Sequence, residues 1–342
     1  MNQNLQRIYS GFDKSVHHMV SAGVTPGATY ALIDGADVLV KRFGDEQSLP
    51  VHEPLRPHQF WDMASLTKVM GTTPVFLEAL HEGQLRLDQP LIDFLPDFSE
   101  PSITFQQLMT HTSQLDGYIP HRDALPADEL KHALITQLHI NPEQGPKYVY
   151  RDFNLLLVGW ALEKIYGAPI QTLMTKRVIE PFGMTGEALF HPNPAETVPT
   201  TYTPQDGLRR GIVHDPKAAV LGEHAASAGM FATLTGIVRY VQIANGTYPQ
   251  HVLPADWAAR LTHDFGGGRS LGFKLEYGPF GRVWLTHTGY TGGFLGFNPE
   301  TQQGMVLLSS RCHPHVHPEF LDLRQDLINN YLNLADGHES AE

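Results

Sequence analysis

The sequence predicts an α/β plus all-α protein: one antiparallel sheet built from both chain ends, with a helical lobe inserted between them. Three observations carry the prediction. A strand–turn–strand pattern lies near the N-terminus, and three strand-like runs separated by Gly- and Pro-containing turns lie near the C-terminus. The long stretch between them shows mostly helical periodicity. A five-stranded sheet is therefore expected, with residues 1–62 and 246–342 in the sheet lobe and residues 63–245 in the helical one. A site is expected in the cleft between sheet and helices.

Taken in order, Leu5, Ile8, Phe12, Val16 and Met19 recur at three- and four-residue steps, which predicts an amphipathic helix. Thr25-Pro26-Gly27 breaks it. Runs 28–33 and 37–43 flank the pair Asp34-Gly35, the pattern of a β-hairpin. Helical periodicity is clearest over 66–83, 105–111, 153–167 and 234–246, each run ended by Gly or a Gly-containing turn. The Pro-rich stretch 191–204 separates two of them. Residues 282–289, 293–298 and 304–311 read as successive strands. The last amphipathic helix, 319–334, carries Phe320, Leu323, Leu327 and Tyr331 on one face.

Composition removes several functions. Of 342 residues, 36 are acidic and 24 basic, a formal net charge of −12. Neither a basic surplus nor a basic stripe is present, which argues against nucleic acid and against a polybasic membrane-surface role. The single cysteine, Cys312, cannot close an internal disulfide. The first twenty residues lack the apolar centre of a signal peptide, and no apolar run approaches the ~18 residues of a membrane span. A cytoplasmic protein is the expectation.

Three segments carry chemistry. Ser65-Leu66-Thr67-Lys68 sets a lysine one helical turn from a serine hydroxyl. Serine is a weak nucleophile that needs a base within hydrogen-bond reach, and a lysine can serve. A Ser-x-x-Lys match alone is expected about once in such a chain, and taken alone a solvated helix with a capping serine is the commoner explanation. This one sits at a strand-to-helix passage, where a nucleophile would be presented. In Tyr150-Arg151-Asp152-Phe153-Asn154, a tyrosine near cations can move a proton, while the structural alternative is a packed tyrosine with Asp152 as helix N-cap. In 286–293, Thr286-His287-Thr288-Gly289-Tyr290-Thr291-Gly292-Gly293, small residues at a strand edge allow close approach of a substrate, and backbone N–H groups there can hold an oxyanion; a plain glycine turn is the other reading.

The order Ser-x-x-Lys, Tyr-x-Asn-like element, His-Thr-Gly strand resembles the penicillin-recognising serine hydrolases: class C β-lactamases, D-alanyl-D-alanine carboxypeptidases and related esterases. Blocks along nearly the whole chain share the likeness: 61–98, 103–117, 149–167, 181–190 and 287–314. The resemblance implies the β-lactamase/transpeptidase-like fold and acyl transfer to water without metal or organic cofactor. It implies Ser65 as acylated nucleophile, Lys68 as its proton partner and Tyr150 as second general base or acid. Ser65 and Tyr290 would supply the oxyanion-hole amides, and Asp152, His287, Thr288 and Gly289 would line the substrate channel. Segments 191–222 and 264–269 are expected to shape that channel.

Departures from the family pattern narrow the reading. Asp152 stands where the family has asparagine, and an ionised aspartate accepts hydrogen bonds but does not donate. His287 replaces a lysine, so a substrate carboxylate is held less firmly there unless the imidazole is protonated. Gln114 replaces a glycine in the Thr-His-Thr-Ser block, where His111 reads as a buried hydrogen-bonding residue. His313, His315 and His317 alternate and could ligate a transition metal, but a loop after the last strand explains them as well, and no metal is expected. No His-Glu-x-x-His, Gly-x-Ser-x-Gly or Gly-rich phosphate loop occurs. The expected function is a serine esterase or amide hydrolase on a small-molecule or peptide-derived acyl substrate. Alternatives are a D-alanyl-D-alanine carboxypeptidase or penicillin-binding protein, a β-lactamase, and a non-catalytic binding protein on the same fold.

Overall fold

In the computed structural model, which describes residues 3–145, 147–248 and 252–337, the first apolar stripe becomes helix α1 (Gln3–Ser21). Leu5, Ile8, Phe12, Val16 and Met19 are its buried residues. The hairpin follows as β1 (Gly27–Asp34) and β2 (Asp37–Gln47), paired antiparallel with Asp34 opposite Asp37. A two-residue strand β3 (Glu53–Pro54) flanks β2. Next come α2 (Thr73–His81), α3 (Phe153–Tyr166) and α4 (Leu234–Ala244) among shorter helical turns. Strands β4 (Lys274–Tyr277), β5 (Val283–Thr288), β6 (Phe294–Asn298) and β7 (Gln303–Ser309) precede the terminal helix α5 (Phe320–Asp336).

The sheet order is β4-β5-β6-β7-β1-β2-β3, antiparallel throughout, so the last strand of the chain closes against the first. It has seven strands where five were expected. The central five match the predicted runs, and the two additions are edges. Glu53–Pro54 is too short to leave a pattern. Lys-Leu-Glu-Tyr in β4 places two charged residues on one face, which reads as loop.

Both faces of the sheet are covered, which explains the near-continuous apolar runs of its central strands. Alternate residues divide between two cores. Tyr30, Leu32, Met305 and Leu307 face α1 and α5, whereas Ala31, Ile33, Val306 and Leu308 join the large core shared with the helices. Phe12 packs edge-on against Tyr30 and Tyr331, centroids 5.1 and 6.0 Å apart, tying α1 to sheet and α5. Among the described residues no helix is long and apolar enough to cross a membrane.

Candidate active site

The segment leading to Ser65 is fixed before the helix begins. Trp61–Asp62 pairs with Phe231–Ala232, which pairs with Ala188–Leu189. Ala64 then adopts a left-handed φ of 44°, a conformation that costs a residue with a Cβ roughly 1 kcal/mol or more. Asp62 holds this turn: its Oδ1 accepts from the Ala64 amide at 2.8 Å, and its Oδ2 accepts from the His214 amide at 2.6 Å. The chain resumes helically, with Leu66 N donating to Met63 O and Lys68 N to Ser65 O. A wide turn over Lys68–Thr72 passes into α2.

This places Lys68 Nζ 2.9 Å from Ser65 Oγ and 2.8 Å from the carbonyl of Ser227. The ammonium stem is buried, and Nζ lies 5.3 Å from the centre of the Tyr150 ring. The Tyr150 hydroxyl is itself buried without a hydrogen-bond partner among the described residues. Its ring is 4.5 Å from His111 and 6.2 Å from His287, centroid to centroid.

His111 leaves its helix at a φ of 55°, which turns the imidazole under Tyr150. Its Nδ1 accepts from the Arg151 amide (3.3 Å) and lies 3.2 Å from Asn154 Nδ2, whose Oδ1 accepts from Ser113 Oγ at 3.0 Å. Burial, then the Lys68 charge, hold its pKa well below the usual range, so the ring is neutral and carries its proton on Nε2. Gln114 keeps a glycine-like φ of 58°, so the turn survives the substitution.

The far wall is the end of β5. A Cβ on Gly289 would lie 2.9 Å from the Met63 carbonyl, so only glycine lets the strand end approach the nucleophile turn this closely. At Gly292, with φ 122°, a Cβ would lie 2.2 Å from Ser309 O. Thr291 Oγ1 donates to Asp62 O at 2.7 Å, locking the two segments together. Among the described residues neither the Ser65 nor the Tyr290 amide donates to a backbone carbonyl. His287 is buried, and its Nδ1 lies 3.0 Å from Thr288 O. Burial first, and the Lys68 charge second, push its pKa down to about 3, so it is neutral at pH 7.

The cleft, about 460 Å³, is lined by Ser65, Tyr150, His287, Thr288, Gly289 and Tyr290 among others, with Lys68 beneath it. Asp152 is not among its lining residues. Its carboxylate is engaged by Lys217 Nζ at 2.8 Å, and it makes no side-chain cap on α3. Burial would raise its pKa, but the Lys217 and Lys68 charges outweigh that and hold it below the ordinary range. Lys217 follows Asp215-Pro216 at a helix start distant in sequence, and no spacing rule connects it with Asp152. Arg269, at the end of the 264–269 segment expected to shape the channel, lines the cleft; the sequence left out Tyr148, which also lines it, and the hydrogen-bonding role of Asn154.

The C-terminal histidines separate. His313 is buried, its Nε2 accepting from the Ser48 and Leu49 amides at 3.1 and 3.4 Å, while His315 is exposed. Among the described residues no three His, Cys, Asp or Glu side chains are grouped as a metal's ligands would be.

Asp62 gives this region a pH signature. Complete burial, opposed by its two amide hydrogen bonds, raises its pKa to about 6. A carboxyl raised in the folded state contributes stability below its unfolded pKa near 3.8 and loses it as pH rises through about 6. The stability of wild type relative to Asp62→Asn is therefore expected to fall by about 2 kcal/mol between pH 4 and pH 7. Paired urea melts across that range check it, and a pH-independent difference would contradict it.

The fold places the chain among the penicillin-recognising serine hydrolases: it belongs to the beta-lactamase family, whose model matches residues 12–329. An Escherichia coli (strain K12) protein with the provisional name D-alanyl-D-alanine carboxypeptidase is 22% identical over 96% of this chain and 89% of its own length. An N-acetylmuramyl-L-alanine amidase of Bacillus subtilis (strain 168) is 23% identical over 90% of this chain and 82% of its own. Among solved structures, a class C beta-lactamase in complex with cefoxitin superposes with a TM-score of 0.77 at 19% identity, covering 96% of this chain and 98% of that one. EstCE1, described as a hydrolase with promiscuous acyltransferase activity, gives 0.77 at 15% identity over 95% of this chain and 99% of that one. These superpositions establish the α/β plus all-α β-lactamase-like fold.

Proposed function

We propose that this protein hydrolyses small esters or amides through an acyl-enzyme on Ser65. The observation that carries the reading is the 2.9 Å contact between Ser65 Oγ and the buried Lys68 Nζ, beside a cleft lined by Ser65 and Tyr290, whose amides donate to no backbone carbonyl among the described residues. Lys68 Nζ takes the Ser65 proton while one N–H stays on Ser227 O. Oγ attacks the substrate carbonyl, and the Ser65 and Tyr290 amides stabilise the oxyanion. Tyr150 stands across Lys68 to pass a proton to the leaving group, and the same groups activate the water that releases the acid. Thr288 and Gly289 offer the strand edge to the substrate.

A D-alanyl-D-alanine carboxypeptidase or β-lactamase activity is the second reading, favoured by the provisional name of the E. coli relative. Intact-protein mass spectrometry after p-nitrophenyl acetate, a fluorophosphonate and a penicillin, each with Ser65→Ala as control, tests both. An acyl adduct from the ester that vanishes in the variant is expected. Labelling by penicillin alone would select the second reading. Adducts that persist in Ser65→Ala would remove the mechanism.

A further inference from the structure

Part of the sheet face beneath α4 is left uncovered. On β2, Leu39 belongs to the core under α1, so Val38, Val40 and Arg42 stand on the opposite face. Their cross-strand partners on β1 are Ile33, Ala31 and Thr29. Ile33 and Ala31 are buried in the large core, where α4 packs on β1 and β7. Between α4 and β2 a groove remains, and Val38 and Val40 are 37% and 54% exposed along it. Two successive valines on a strand face open to water make a binding surface, since the fold's own core does not need them there.

The groove encloses about 320 Å³ and shares no lining residue with the Ser65 cleft. Val38, Val40, Pro57, Trp61, Leu234 and Val238 form its apolar wall. Its ionisable lining residues are Arg42, Arg56 and His58. Among the described residues no Asp or Glu lines it, although Asp and Glu outnumber Lys and Arg by 36 to 24 in the chain. The two arginines differ. Arg56 is engaged: its Nη2 donates to Ala195 O at 2.9 Å and lies 3.4 Å from Glu46 Oε2. Glu46 is buried and shared with Arg210, whose Nη2 is 2.8 Å from Oε1. Arg42 has neither an ion pair nor a side-chain hydrogen bond among the described residues. It follows Val38 and Val40 on the same strand face, so an apolar surface ends in a free guanidinium.

We propose that this groove binds a medium-chain monocarboxylate, its alkyl chain along Val38, Val40, Trp61 and Val238 and its carboxylate on Arg42. Size sets the chain length. At the roughly 30 Å³ that one water takes up in the liquid, the cavity holds about ten atoms of that size. An eight-carbon acid has that many heavy atoms, whereas a peptide segment or a two-chain lipid has far more. Charge sets the head group: one free planar guanidinium matches one carboxylate through a bidentate pair. The apolar wall supplies the larger part of the affinity, because a solvent-exposed ion pair contributes little. Binding here requires nothing of Ser65, so it stands or falls apart from the acyl-hydrolase reading.

Isothermal titration calorimetry with octanoate, butanoate and 1-octanol tests it. Octanoate is expected to bind at least about tenfold more tightly than butanoate, which lacks four methylenes. It is expected to bind about fivefold more tightly than 1-octanol, which lacks the charge. Val40→Glu sets a carboxylate into the groove at an exposed position and is expected to weaken octanoate at least about tenfold. Arg42→Gln is expected to bring octanoate down to the affinity of 1-octanol. Arg311→Gln, which removes a cation lining the Ser65 cleft, is expected to leave octanoate binding unchanged. No binding of octanoate, equal affinity for octanoate and butanoate or for octanoate and 1-octanol, or affinity that survives both groove variants would overturn the assignment. Sedimentation velocity at the calorimetric concentration covers the other occupant. A dimer that Val40→Glu dissociates would show that a second copy fills the groove, and would likewise overturn it.

Discussion

Lys68→Ala is expected to lower kcat/KM for an activated ester by at least 10³-fold and to prevent burst formation of an acyl-enzyme. The Ser65 hydroxyl has Lys68 Nζ at 2.9 Å, and the helical turn between them fixes that distance. The alanine variant removes the acceptor for the serine proton and leaves the Ser227 carbonyl without its donor. A structural role would give a similar loss, so the informative variant is Lys68→Arg. Arginine carries a fixed positive charge and can still donate to Ser227 O, but it cannot accept a proton. If Lys68 acted only as a fixed cation, the Lys68→Arg variant would return to near wild-type activity. Continued loss in Lys68→Arg, with cooperative melts near the wild-type temperature, is the expected result in pre-steady-state assays with p-nitrophenyl acetate.

What the sequence disclosed follows from which interactions are local. The α1 stripe, the hairpin and the central strands are encoded by period and turn chemistry within a few residues, and the structure places them where those patterns point. Ser65 and Lys68 are one turn apart on a helix, so their contact is visible in spacing alone. The failures lie where long-range packing decides. The helix expected over 105–111 stops at Met109, because His111 leaves helical geometry to pack against Tyr150. Strand β4 is an edge defined by its partner β5, and its own alternation places Lys274 and Glu276 together by the cleft. Asp152 reads locally as a helix cap and only by resemblance as a substrate ligand, and only the fold brings Lys217 to it. Arg269 ends the 264–269 segment expected to shape the channel, but its stacking on Tyr148, more than a hundred residues earlier, leaves no local pattern.

Tyr150→Phe separates function from stability in the same molecule. The Tyr150 hydroxyl is buried, yet among the described residues it has no hydrogen-bond partner. A buried hydroxyl left unsatisfied costs roughly 1–3 kcal/mol, so deleting the oxygen is expected to leave stability unchanged or raise it by about 1 kcal/mol. The ring's contacts with His111, Lys68 and His287 involve carbon atoms and survive in phenylalanine. Activity is expected to move the opposite way, with kcat falling about 10²- to 10⁴-fold as proton transfer to the leaving group is lost. The deficit is expected to shrink for esters of strongly acidic phenols, whose leaving groups depart without a proton, and to grow for alkyl esters. A structural tyrosine would give neither the dependence on leaving group nor the opposed movement of melting temperature and rate. Parallel melts and a leaving-group series on both proteins decide it: kcat within threefold of wild type across the series would exclude Tyr150 from the chemistry.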